Sequence, residues 1–294
     1  MNSMHTRRKF LQQSALIAAG FLLPQEIFAA GKKKKIGLQM YTLRNVIKQN
    51  NIASVLTAIA KIGYRELEIF GYSGRDKFWG MEPKPFKALL KANGLKAPAA
   101  HISFENFLTG KDESELRLIC EAAKIVGNEF IVVAWLKESL RATAADYRLL
   151  ADRLNKAAVI AHQYGLQLAY HNHDFEFKTL EPGVTGYDIL LKETDEQLVK
   201  MELDLFWAVK AGKDPLILFE ENPGRFPLWH VKDMDKASGS FTEVGTGSIN
   251  FQQLFGAAKT AGLQHYFIEQ DEVKKDVFTS ISESYGYAAR NLHF

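Results

Sequence analysis

Four short apolar runs in this chain each end in a residue type that binds metal ions. LQLAYHNHDF carries His171 and His173, MELDLFWAVK carries Asp204, FPLWHVKD carries His230 and HYFIEQD carries Glu269. Each has an ordinary explanation when taken alone. A histidine at a strand end is usually a hydrogen-bonded structural residue, and an aspartate there often caps the following helix. The four together are harder to explain that way. Charged groups that converge in a folded interior must be paired or bind an ion, because burying them unpaired costs on the order of several kcal/mol each. Two imidazoles and two carboxylates suit a borderline divalent cation better than Ca²⁺: Mn²⁺ first, with Co²⁺, Fe²⁺, Zn²⁺ or Mg²⁺ as alternatives. The expected ligands are His171, Asp204, His230 and Glu269. His173 is the alternative to His171, since residues two apart share a strand face.

Something must bring those four ends together. Beyond Lys35, β-type and helix-type patterns alternate with little interruption. IGLQMYTL (Ile36–Leu43) reads as a strand and IASVLTAIAKIG as an amphipathic helix closed by Gly63. The alternation continues through YRELEIFG, PKPFKALLKANG, LKAPAAHIS, ESELRLICEAAKIVG and EFIVVAWL, then a long helix from about Ala142 to Gly165. LQLAYHNH, TGYDILLKETD, LVKMELDLFWAV, DPLILFEEN, RFPLWHVKD, NFQQLFGAAKTAG, HYFIEQDE and a final helix up to Leu292 complete it. Eight strand–helix units imply parallel strands joined by right-handed crossovers, and that number over about 260 residues implies a single closed (β/α)8 TIM barrel. The alternative, a doubly wound open sheet, wants a glycine-rich phosphate fingerprint after the first strand, and LQMYTLRN has none.

The start of the chain reads differently. Arg7, Arg8 and Lys9 precede an apolar run from Ala15 to Leu23, and small residues follow at Ala29, Ala30 and Gly31. A basic region, a short apolar region and a small-residue end make a secretory signal, and paired arginines followed by Phe10-Leu11 resemble a twin-arginine export signal. The expectation is an export signal over residues 1–30, a barrel over residues 31–294 and a periplasmic location. The apolar run is short for a spanning helix, so no stable membrane insertion is expected. Much of the formal charge of +3 sits in this leader. The remainder is near neutral, which gives no electrostatic reason to expect nucleic acid as a partner. The single cysteine, Cys120, lies in a helical pattern and reads as a buried, inert thiol. Nothing in the composition requires or excludes an oligomer.

In a barrel of this kind chemistry sits at the C-terminal strand ends. Strand one offers Gln39, Tyr41 and Arg44 there, strand two Glu66 and Glu68, strand three His101 and strand four Trp135. Strand five offers His171, Asn172 and His173, and strand six Asp204. Strand seven offers His230, Lys232 and Asp233, and strand eight Glu269, Gln270 and Asp271. Gly245–Gly247 ahead of Asn250 reads as a loop and helix cap rather than a phosphate cradle.

At this point the residues resemble a family. IGLQMYTLR, ELEIFGY, LDLFW, HVKD, FIEQD and VGTGSINFQQLFGAAKTAG are similar to the corresponding stretches of xylose isomerase-like TIM barrels, the sugar phosphate isomerases/epimerases. The resemblance implies a divalent ion held by a glutamate, an aspartate, a histidine and a glutamate on strands five to eight. Asp204, His230 and Glu269 match, whereas AYHNH puts His171 in place of the glutamate. The YHNH form resembles the branch near inosose dehydratases and lyases acting on 3-keto-glycosides. That shifts the expectation from isomerisation towards elimination.

The implied chemistry is removal of a proton α to a sugar carbonyl, giving an enediolate that isomerises, epimerises or loses a β-leaving group. His101, His173 and Glu68 are the candidates for the base, and Lys232 for stabilising an oxyanion or protonating a leaving group. Tyr41, Arg44, Trp135 and Trp207 are candidates for substrate binding, with Phe70 and Trp79 as further apolar walls. Two other classes compete. A non-catalytic sugar-binding barrel predicts carbohydrate affinity indifferent to chelators. An endonuclease-type phosphodiesterase wants more metal ligands and a basic face.

Overall fold

The computed structural model describes residues 35–294; the expected leader lies outside the described residues. Eight strands form the centre: β1 (Gly37–Gln39), β2 (Glu66–Phe70), β3 (Lys96–Ile102), β4 (Phe130–Val133), β5 (Gln167–His171), β6 (Val199–Asp204), β7 (Leu228–Val231) and β8 (His265–Ile268). They pair in parallel as a closed barrel in the order β1-β8-β7-β6-β5-β4-β3-β2. The crossover helices are α1 (Ile52–Ile62), α2 (Pro83–Ala92), α3 (Ser114–Val126), α4 (Ala144–Gln163), α5 (Gly186–Glu193), α6 (Pro215–Glu221), the paired pieces Phe251–Gly256 and Ala258–Ala261, and a C-terminal helix, Val277–Asn291. This is the single (β/α)8 barrel that the alternation predicts. Among the described residues no helix is long and apolar enough to cross a membrane.

Local chemistry sets the element ends. Thr143 with Asp146 and Thr185 with Asp188 form reciprocal capping boxes at the starts of α4 and α5. Gly127 ends α3 in the left-handed region that a side chain would disfavour. Two strands stop earlier than the apolar runs suggest. β1 ends at Gln39 because its side chain accepts a hydrogen bond from the Tyr41 N–H, turning Met40–Leu43 into a 3-10 helix. β6 ends at Asp204, whose side chain accepts from the Trp207 N–H and starts a helix over Leu205–Lys210.

Strand alternation divides the interior in two. Outward residues such as Ile131, Leu168, Tyr170, Leu203 and Trp229 pack against the helices in the main core. The opposite parity supplies a separate apolar cluster of Ala99, Phe130, Val132, Ala169, Leu228 and Phe267, which plugs the barrel lumen. Gly37 makes room for it: a Cβ there would stand 2.4 Å from the Tyr266 carbonyl and 2.5 Å from the Phe267 ring. Two residues past Ala99, Ala169 and Leu228 come His101, His171 and His230 on the same inward face, and Glu68 and Glu202 join them from the strands paired with Ala99 and Leu228. The plug is therefore the floor on which the polar groups stand.

A buried layer of carboxylates and imidazoles at the barrel mouth

The four expected ligands meet. One donor atom from each of His171, Asp204, His230 and Glu269 lies within 4.8 Å of every other, and all four residues are buried. Asp204 caps the helix that follows it and also faces the cluster. Its Oδ1 caps the helix through Trp207 N at 2.9 Å, while its Oδ2 faces His171 Nε2 at 3.3 Å. Its backbone N–H donates to Asn172 Oδ1 at 2.9 Å, which ties the ends of β5 and β6 together. His230 Nδ1 lies 2.7 Å from Glu269 Oε2. Lys232 Nζ sits 2.9 Å from Asp204, 2.8 Å from Glu269 and 3.0 Å from Asp271.

The layer is larger than the sequence reading made it. Glu202, two residues before Asp204, points into the same lumen and lies 2.6 Å from His101 Nε2. The sequence carries the signal, since period-two alternation puts Glu202 and Asp204 on one face, although Glu202 stands inside its apolar run rather than at the end. Glu68 Oε2 accepts from Gln39 Nε2 at 2.6 Å and lies 2.6 Å from His230 Nε2 and 3.1 Å from His101 Nε2. Glu68, expected as a candidate base, is thus fully buried, with its carboxylate turned to the two histidines and the Gln39 amide. Glu66 is also corrected. It begins β2 rather than ending it, and binds His265 Nδ1 at 2.7 Å on the far side of the plug.

The electrostatics follow from one lysine among many carboxylates. Burial pushes the Asp204 and Glu269 carboxyls up, but Lys232 and the adjoining imidazoles outweigh it and hold both well below the usual range. Burial would lower Lys232, and Asp204 with Glu269 more than reverse that, so it stays charged. Burial and the neighbouring Glu202 raise Glu68 to about 7. His230 and His101 would be lowered by burial, yet the carboxylates around them raise both. His171 behaves oppositely: burial and the proximity of His230 lower it to about 4, leaving a neutral imidazole with a lone pair to give.

The donor set fits a divalent cation on the structure's own terms. Three buried atoms in this layer have no polar partner: Glu68 Oε1, Glu202 Oε1 and His171 Nδ1. Buried polar atoms normally have partners. His230 Nδ1 and Glu269 Oε2 stand close without hydrogen-bond alignment, as two ligands of one ion do.

The remaining candidates line the surroundings. The His173 ring stacks on Phe175 with centroids 5.3 Å apart and lies 5.7 Å from Trp207. Burial, His171 and Lys232 lower it to about 2. Glu176 accepts from the His173 N–H at 2.8 Å and from the Tyr170 hydroxyl at 2.6 Å, holding this turn. Trp207 lies under Lys232, with Nζ 6.0 Å from its ring. Tyr41 and Trp135 stay exposed at 41% and 55%. Tyr41 meets Phe70 edge-on at 5.4 Å, and Phe70 meets Trp79 at 5.4 Å. Arg44 is pinned, donating to the carbonyls of Tyr41 and Asp271 while stacking over the Tyr41 ring at 4.4 Å. That leaves it less free to bind a substrate than its position suggested. The glycine loop after β7 already holds an anion of its own: Asp233 Oδ2 accepts from Gly245 N at 2.8 Å and Gly247 N at 2.9 Å. A Cβ on Gly247 would collide with that carboxylate, so the loop is a structural clasp. Cys120 is buried, and burial pushes its thiol up to about 12, as an inert thiol requires.

A closed parallel barrel with a histidine–carboxylate layer at the C-terminal strand ends defines a class of proteins, and sequence comparison places the chain within it. The xylose isomerase-like TIM barrel family profile matches residues 56–282. The chain belongs to that family. It is 26% identical over 243 residues to an inosose dehydratase of Clostridium beijerinckii, covering 71% of this chain and 78% of the relative. It superposes on a sugar phosphate isomerase/epimerase from Parabacteroides distasonis with a TM-score of 0.78 and 28% identity, covering 90% of this chain and 96% of that one. The IOLI protein, solved with a zinc atom, shares the fold at a TM-score of 0.71 and 16% identity, covering 88% of this chain and 98% of that one.

Proposed function

We propose that this protein is a divalent-metal-dependent carbohydrate enzyme that removes a proton α to a sugar carbonyl, with β-elimination favoured over isomerisation or epimerisation. The observation that carries this reading is the convergence of His171, Asp204, His230 and Glu269 donor atoms within 4.8 Å of one another at the barrel mouth. The similarity to proteins named as a dehydratase and as sugar phosphate isomerases/epimerases supports the substrate class. A divalent cation held by these four residues supplies stabilisation for negative charge developing on a substrate oxygen. Lys232, charged and directed at Asp204 and Glu269, adds a second positive group and a proton donor for a departing oxygen. Two imidazoles border the donor set, His101 and His173, and the substrate proton passes to one of them. Trp207, Trp135 and Tyr41 offer apolar faces for a sugar ring.

The test is incubation with 3-keto-glycosides and simple ketoses in D₂O with Mn²⁺. Deuterium entering the substrate or product, together with release of the leaving group, is expected; binding without exchange or turnover contradicts the reading. The leader pattern supports export to the periplasm. A fusion of residues 1–30 to a folded reporter should reach the periplasm and should stay inside when Arg7 and Arg8 are both replaced by lysine.

A further inference from the structure

The polar layer contains the same donor set twice. Above, two imidazole nitrogens and two carboxylate oxygens come from His171, His230, Asp204 and Glu269. Below, His230 Nε2 lies 2.6 Å from Glu68 Oε2 and 3.3 Å from Glu202 Oε2. On the same two oxygens, His101 Nε2 lies 2.6 Å from Glu202 and 3.1 Å from Glu68. His230 belongs to both groups and turns a different nitrogen to each, with Nδ1 facing Glu269 and Nε2 facing Glu68. His171 is within reach of the lower group as well, since His101, His171, Glu202 and His230 also converge within 4.8 Å.

Hydrogen bonds account for only part of the lower group, pairing His101 Nε2 with Glu202 Oε2 and His230 Nε2 with Glu68 Oε2 at 2.6 Å each. Each of the two Nε2 atoms faces two carboxylate oxygens, and one N–H satisfies one of them well. Glu68 Oε1 and Glu202 Oε1 are buried and make no hydrogen bond. No lysine or arginine reaches either carboxylate among the described residues: their ion pairs are with His101 and His230, and Gln39 adds a neutral donor to Glu68. Lys232 is engaged above with Asp204, Glu269 and Asp271. Two carboxylates flanked by two imidazoles match the charge and donor preference of one borderline dication.

We propose that Glu68, His101, Glu202 and His230 form a second, deeper cation site, with His230 shared between the two ions through its two nitrogens. The shared ring then acts as an imidazolate, having given its N–H proton to solvent. With His101 committed to the deeper ion, proton abstraction falls to His173. The proposal extends the reading under Proposed function and shares only His230 and, at its edge, His171 with the upper donor set.

The test is metal stoichiometry of the full chain, stripped with chelator, dialysed against Zn²⁺ and analysed by atomic emission. The wild type should hold about two equivalents, and Glu202→Gln and His101→Asn about one each. Asp204→Asn should also drop to about one, by losing the upper ion. Two Mn²⁺ ions sharing one ring should give a spin-coupled electron paramagnetic resonance spectrum, replaced in Glu202→Gln by the signal of an isolated ion. A wild type that holds one equivalent, lost in Asp204→Asn and kept in Glu202→Gln, overturns the deeper site and leaves the upper one standing. A wild type that holds none overturns both. The wild-type count decides the matter even if a variant fails to fold, and circular dichroism of each variant identifies that case.

Discussion

His230 Nε2 and Glu68 Oε2 meet at 2.6 Å across the barrel lumen, although β7 and β2 lie three strands apart around the barrel. The contact is buried on both sides, and it links the half of the barrel that carries the expected ligands to the half that does not. Glu68→Ala should therefore do more than remove one carboxylate. It leaves the Nε2 atoms of His101 and His230 facing Glu202 alone and strands the Gln39 amide. The expected cost is about 3 kcal/mol, the usual scale for breaking a buried pair by removing one partner. Denaturant unfolding of chelator-treated wild type and variant measures it, and a loss below about 1 kcal/mol contradicts the account.

Asp204 allows its two roles to be separated. Asn at this position still has an oxygen that can accept from the Trp207 N–H, whereas Ala has none. Both variants should lose the ion held by His171, Asp204, His230 and Glu269. In the metal-free state Asp204→Ala should melt lower than Asp204→Asn by the worth of a helix cap, about 1 kcal/mol. Identical melting of the two would show that the cap contributes nothing.

Glu176 gives a pH dependence with a definite sign. Burial raises its carboxyl to about 7, despite the hydrogen bonds from Tyr170 and the His173 N–H that lower it. Its folded value is above its unfolded one, so its contribution is fully present below about pH 4 and is lost as pH rises through about 7. Glu176→Gln cannot ionise. It should be about as stable as wild type at pH 5, because the neutral carboxyl, like the amide, presents one carbonyl oxygen to the His173 N–H and one donor to the Tyr170 hydroxyl. Its stability should also fall less between pH 5 and pH 8, the difference in slope summing to about 3 kcal/mol. Urea titrations of both proteins across that range check this, and parallel curves would refute it.

The order of elements could be read almost entirely from the sequence, because a parallel barrel buries every strand and each strand–helix unit repeats one pattern. Strand length could not. Ile36–Leu43 is uniformly apolar enough to read as one strand, and only the bond between the Gln39 side chain and Tyr41 N decides where it turns. The cluster of His171, Asp204, His230 and Glu269 is legible because its members stand at run ends. Glu202 was hidden because depth inside a lumen is a property of alternation and closure together. Glu66 and Glu68, two residues apart in the sequence, lie on opposite sides of an apolar plug that only the closed barrel creates. Arg44 and Asp233 carry charges that suggest ligands. Both hydrogen-bond the backbone, Arg44 to two carbonyls and Asp233 to the N–H groups of its own loop.

Calorimetric titration of the chelator-stripped protein with Mn²⁺, in wild type and in Asp204→Ala and Glu269→Ala, tests the central claim most directly. The account predicts binding in the wild type and, at the site of His171, Asp204, His230 and Glu269, at least a tenfold weakening in each variant, about 1.4 kcal/mol or more. Both variants matching the wild type in stoichiometry and strength, or no binding in a folded wild type, would contradict it.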